Sequence, residues 1–205
     1  MAELLAVNVV RELRTGHRGD TAIDKHPVRG PVPVTELGLA DDRQCAPAHG
    51  GPDKALYAYA LEDYAWWWTE LQRRLGPGLF GENLTTLGLD VNGARIGEVW
   101  AIGDQVRIEV RGPRTPCPNL SERLGIERFH REFAASGRVG AYLKVVRVGE
   151  IAAGARIRIV RRPDHPVTVA AWCRPTAEQA EQLIGSEVDL SPEVRRRARR
   201  LTGRG

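Results

Sequence analysis

"AIGDQVRIEVRGPRTPCPNL", Ala101–Leu120, is the stretch that decides how the chain is read. In its first half Val106, Ile108 and Val110 fall on one face with polar residues between them, the two-residue period of a half-buried strand. The second half changes character: Val110–Leu120 holds three prolines, two arginines and Cys117 between Pro116 and Pro118. Each proline fixes its own φ and removes a backbone donor, so the segment reads as a stiff, basic loop incompatible with a helix.

Working outward, "ELLAVNVVREL", "PVPVTELGL", "AYLKVVRVGE" and "ARIRIVRRP" repeat the strand pattern, the last two joined by an expected turn at "GEIAAG". One helix is expected near Leu61–Leu75, with Tyr64, Trp68, Leu71 and Leu75 at helical spacing and a stop at Gly76-Pro77-Gly78. Many short strands with few helices predict a mainly β fold, a barrel or sandwich. After Arg162 the composition turns helix-prone. Thr176 and Gln179 make a capping box, and Ser191 with Pro192 opens a last helix. Two units are therefore expected, a β-domain over 1–162 and a helical segment over 163–205, with a short helix near Val169–Arg174.

The 205 residues are 42% hydrophobic and 27% charged, ordinary for a globular chain. The net charge is +4, and six arginines crowd into Arg195–Arg204, so the rest is near neutral; a general nucleic-acid binder is not indicated. Cys45, Cys117 and Cys173 are far apart with no C-x-x-C pair, which argues against a disulfide framework or a zinc site. "MAELLAVNVV" has no basic stretch before its apolar run, and no run nears the length of a membrane span, so a cytoplasmic location is expected.

Four places carry chemistry. Cys117 reads either as small apolar filler at a barrel corner or as a thiol that Arg111 and Arg114 push toward thiolate. The turn His49-Gly50-Gly51-Pro52, followed by Lys54, could bring backbone N–H groups to an anion or simply be a solvated turn. Glu82 and Asn83 offer donors and acceptors to a heterocycle edge, or cap a turn. Lys25, His26 and Arg29, with Arg43 further on, could hold a phosphate or form a hydrated basic loop.

The ordered series "TAIDKHPVRGPV", "TELGLADDRQ", "HGGPDKALYAY", "GLFGENLTTLGLDV", "ARIGEVWAIG", "PRTPC" and "GRVGAYLKVV" resembles the MOSC domain, the molybdenum-cofactor sulfurase C-terminal domain, in its YiiM-like branch. The resemblance runs from about Thr21 to Arg158, and the tail from Pro163 resembles that branch's three-helix segment. It implies a MOSC-type β-barrel that binds a molybdenum cofactor, an anionic pterin dithiolene. By the same resemblance Cys117 ligates the metal as the catalytic residue, with Lys25 and Arg43 at the phosphate end and His49, Asn83 and Arg114 around the pterin; Arg29, in the Lys25 loop, is counted with the cofactor-binding residues. Relatives of this kind reduce N-hydroxylated compounds such as hydroxylaminopurines and amidoximes. The electrons would come from a separate donor protein, since no G-x-G-x-x-G or cysteine cluster is present, and the lack of a pyridoxal-phosphate lysine motif favours a stand-alone enzyme. The alternative is a non-catalytic cofactor or sulfur carrier using Cys117. The arginine-rich last helix reads as a solvated or partner-docking face rather than a nucleic-acid site. Asp41-Asp42 departs from the family's Gly-Asp, and a positive φ there would make Asp one of the less costly replacements.

Overall fold

The computed structural model describes residues 1–17, 19–45 and 50–204. Its strands are β1 (Glu3–Val10), β2 (Arg14–Gly16), β3 (Gly19–Thr21), β4 (Lys25–Pro27), β5 (Val32–Thr35), β6 (Gly38–Leu39) and β7 (Leu56–Ala60). They continue with β8 (Leu84–Leu87), β9 (Val99–Ile102), β10 (Val106–Pro113), β11 (Ala141–Arg147), β12 (Gly149–Ile151) and β13 (Ile157–Arg161). The helices are α1 (Leu61–Leu71), α2 (Pro118–Leu124), α3 (Phe129–Ser136), α4 (Val169–Cys173), α5 (Ala177–Ile184) and α6 (Pro192–Leu201).

Eight strands form one sheet in the order β13-β9-β10-β11-β7-β8-β1-β4. All neighbours are antiparallel except β7 and β8, which run parallel because α1 carries the chain back between them. The sheet curls back on itself. Leu4 N donates to Ala155 O at 2.9 Å and Ile157 N to Ala2 O at 2.9 Å, tying β1 to the start of the far strand β13. The expected alternation holds in β10, where Val106, Ile108 and Val110 are fully buried in the interior with Leu4, Leu84 and Trp100. Burying a side chain of this size stabilises by about 1.5–3 kcal/mol, so a charge at position 108 would unseat the central strand.

A second cluster lies under α1. Tyr64 and Trp67 pack on Tyr59, Phe80, Phe129 and Phe133, and Trp67 Nε1 donates to Tyr59 Oη at 2.9 Å. This aromatic block fixes α2 and α3 against β7. A third cluster gathers Trp172, Ala180, Leu183, Val194 and Ala198 on Ile96, and so joins α4–α6 to the loop before β9. The Thr176–Gln179 capping box and the Ser191 N-cap are both formed.

Four expectations are corrected. Pro118 starts α2 and Cys117 is its N-cap residue, because proline at the first helical position gives up a donor that has no partner there anyway. "GEIAAG" is not a plain turn: Gly149–Ile151 forms β12 and pairs with β5 in a separate small sheet. The first helix stops at Leu71, where Gln72 turns left-handed at φ 48°, and it buries Trp67 more deeply than Trp68. The fourth is α3, a helix beyond those expected, entered through Arg128 at φ 58°.

Candidate functional site

Six elements converge on one cavity. β10 ends at Pro113 and delivers Arg114, whose N–H donates to Gly140 O at 3.2 Å. Three residues on, Cys117 caps α2. β7 supplies Tyr57, and the turn before β8 supplies Asn83. With Lys25 from β4 and Tyr142 from β11, these residues line a cavity of about 100 Å³. Lys54, Cys117 and Tyr142 also line a second cavity of about 640 Å³, which opens between the sheet and α6. Cys117, half-buried, therefore faces both.

The first cavity is electropositive. Its charged lining among the described residues is Lys25, Arg43, Lys54 and Arg114 against one carboxylate, Asp20. Two of these cations are buried and differ sharply in their partners. Lys25 bonds the equally buried Asp42, whose other donors are Asn83 Nδ2 at 2.7 Å and Val10 N at 2.9 Å. Burial pulls the Lys25 ammonium below its ordinary range, and Asp42 opposes that pull. One carboxylate thus aims two cavity-lining side chains. Arg114 has no ion pair among the described residues; its guanidinium lies 5.4 Å over the Tyr57 ring, and its buried Nη1 has no hydrogen-bond partner. Burial would lower its pKa, but Tyr57, Tyr142 and Cys117 outweigh burial and the guanidinium is held above its usual range.

The sequence-derived residues divide accordingly. Lys25, Arg43, Asn83, Arg114 and Cys117 come together on one cavity. Arg29 does not join them: it is exposed and lines neither cavity, because the chain turns away after β4. His49 lies outside the described residues. His26 turns to Asp24, at 2.9 Å. Arg111 is not available to the thiol, since Asp53 and Glu109 pair with it and the Asp189 carbonyl accepts from it. Glu82 does not read a ligand edge. It is fully buried, and accepts from Gly78 N at 2.6 Å, Thr85 Oγ1 at 2.7 Å and Tyr64 Oη at 2.8 Å, so it braces the turn that presents Asn83.

Sequence reading missed three features. Cys45 had no apparent role, yet it lines the cavity with Cys117. Asp24, fully buried, receives Arg14 at 2.5 Å and Arg123 of α2 at 2.5 Å, so it clamps the helix carrying Cys117 against the strand carrying Lys25. Asp42, which no local sequence pattern marks, holds Lys25 and Asn83. Asp41 does adopt a positive φ, 65°, so the family glycine position is filled by one of the residue types that tolerates it best.

Comparison with known proteins identifies the family of this fold. The pattern of the MOSC domain family fits residues 46–158, more than half of the chain. The chain belongs to the MOSC domain family. MOSC domains are associated with the molybdenum cofactor. Protein YiiM of Escherichia coli (strain K12) is 34% identical over 196 residues, covering 90% of this chain and 86% of YiiM. A protein named "Reductase" from Gibberella moniliformis is 32% identical over 70% of this chain, which matches only 26% of that longer protein. The crystal structure of YiiM from Geobacillus stearothermophilus superposes with a TM-score of 0.80 at 26% identity, covering 98% of each chain. Among the described residues no helix is long and apolar enough to cross a membrane.

Proposed function

We propose that this MOSC protein is a molybdenum-cofactor-dependent reductase of N-hydroxylated compounds of the hydroxylaminopurine or amidoxime kind. The observation that carries the reading is Arg114, a buried guanidinium with an unpartnered Nη1, facing the same cavity as a half-buried thiol. An uncompensated buried cation destabilises a folded protein unless a ligand supplies the anion. The residues fit an anionic dithiolene pterin: Cys117 is a soft thiolate ligand, and Arg114, Lys25 and Arg43 would meet its negative groups. When bound, the cofactor would supply two-electron oxygen-removal chemistry.

The rest is done by the chain. Asn83 donates to Asp42 at 2.7 Å and to Asn8 O at 3.3 Å and accepts from Tyr57 N at 3.2 Å, so it braces the cavity wall between β1 and β7. Tyr142, whose hydroxyl is pushed up to about 12 by burial with Arg114 opposing, keeps its proton at neutral pH, so an O–H rather than a phenolate faces both cavities. The net change breaks the N–O bond of R–NH–OH, takes two electrons and two protons, and gives R–NH2 and water. A named reductase among the relatives supports the redox class.

The test is elemental analysis of protein purified from a cofactor-competent host, beside Cys117→Ser. Stoichiometric molybdenum that is lost in the variant is the expected result; equal metal in both sinks the ligand assignment. Reduction of a hydroxylaminopurine by the loaded protein with an artificial electron donor then separates an enzyme from a carrier.

A further inference from the structure

α6 has two unlike faces. Val194 and Ala198 are buried against Trp172 and Leu183, while Arg195, Arg196, Arg199 and Arg200 are exposed, with Arg204 just beyond the helix. Arg196, Arg199 and Arg200 stand at i, i+3 and i+4, so they share one stripe and repel one another. Arg195 reaches Asp189 at 3.4 Å, but Arg196, Arg199, Arg200 and Arg204 have no ion pair among the described residues. The carboxylates nearby are otherwise engaged or face elsewhere: Glu193 pairs with Lys54 at 2.7 Å, and Glu178 and Glu181 lie on α5 without reaching these arginines. Leu201 adds an exposed apolar side chain, 38% accessible, at the end of the stripe.

The place of this stripe matters more than its charge. Arg196 also lines the larger cavity, the one that Cys117 faces from its other wall. The helix is about 15 Å long, a patch the size of one contact on a small protein. Resting on the reductase reading, we infer that the exposed face of α6 docks an acidic protein carrying a reduced flavin, a group that gives up the two electrons the reaction needs, beside the Cys117 site. The balance is closed: a dihydroflavin and R–NH–OH become oxidised flavin, R–NH2 and water. An acidic protein fits better than a nucleic acid, because the patch opens onto the redox site and the rest of the chain is near neutral.

The test uses the full cofactor-loaded chain and Arg199→Gln/Arg200→Gln/Arg204→Gln, positions that line neither cavity. Reduced flavodoxin, an acidic flavoprotein, and reduced methyl viologen serve as alternative donors, with circular dichroism confirming equal folding. Viologen-driven turnover should be equal in both proteins. Flavodoxin-driven kcat/KM should fall roughly tenfold or more in the variant at low salt, and added salt should bring the wild type down to the same level. Equal flavodoxin rates, or a wild type insensitive to salt, overturn the docking site. If the molybdenum-loaded wild type does not turn over even with viologen, the reductase reading fails on its own. Docking is then decided by calorimetric titration with flavodoxin: binding lost in the triple variant upholds it, and no binding to the wild type overturns it. Tighter binding of duplex DNA than of flavodoxin at one salt concentration also overturns it, in favour of a nucleic-acid surface.

Discussion

Asp42→Asn tests the internal architecture of the site without touching the cavity wall. The side chains of Lys25 and Asp42 are only 7% and 5% exposed, so water screens their pairing little. An asparagine can still accept from Val10 N, but its NH2 would face two donors, the Lys25 ammonium and Asn83 Nδ2. Breaking one partner of a buried pair costs about 3–5 kcal/mol because the other charge stays buried and unpaired. At about 2–4 °C per kcal/mol for a chain of this size, the thermal midpoint should drop by roughly 6–20 °C. The pH dependence is diagnostic. Lys25 titrates below 10.5 in the folded protein, so between its folded value and 10.5 the unfolded chain holds more protons and stability rises with pH. Without Asp42 that window widens downward, and a neutral Lys25 needs no counter-ion. The deficit of the variant should therefore shrink as pH rises toward 10.5. Lys25→Met/Asp42→Asn should recover much of the loss. Thermal unfolding across pH reads all three. An unchanged midpoint in Asp42→Asn, a pH-independent deficit or a double variant as unstable as the single one would refute the account.

Arg114→Met should leave the stability of the cofactor-free protein between about 1 kcal/mol below and 2 kcal/mol above wild type, a gain of about 1–4 less a cation–π contact of about 2. The same variant should lose molybdenum, and a stability loss well beyond about 1 kcal/mol in denaturant unfolding would contradict it. At Asp41, with φ 65°, Asp41→Ala should lose about 1 kcal/mol while Asp41→Gly stays near wild type, since only glycine is free of the left-handed penalty. Equal losses in both would show that the side chain, not the backbone, matters there.

The β10 pattern, the capping box and the Ser191-Pro192 helix start were legible because each is a local code, read over two to four residues. The head of α2 was misread for an instructive reason. Proline is hostile inside a helix but favoured at its first position, and composition alone does not say which it occupies. Cys117, Lys25, Asn83 and Arg114 were legible only through the order of separated motifs, since nothing local links β4 to α2. Arg29 was grouped with Lys25 by nearness in sequence, but four residues are enough to carry a chain past a strand end and out to solvent. Asp24 and Asp42 were not legible as braces, because their partners lie across the fold and no spacing rule encodes them.

Arg111 and Arg114 make the sharpest case for where chemistry ends and support begins. They are three residues apart, both nearly buried, at 4% and 7% exposure, and sequence treated them alike as neighbours of the thiol. A register shift between Val110 and Gly112 separates their directions. Arg111 meets Asp53 and Glu109 and so staples the turn at Pro52–Lys54 to β10. Its charge is spent within the fold. Arg114, past the strand end, meets an aromatic face and leaves its buried Nη1 without an acceptor. Burial and charge are the same in both, so neither property identifies a ligand-binding residue. What does is the missing counter-charge, since a methionine or leucine would fill the same space without burying an unpaired cation. That deficit lies beside the one thiol that faces both cavities, and an anion that also accepts a soft ligand satisfies both at once.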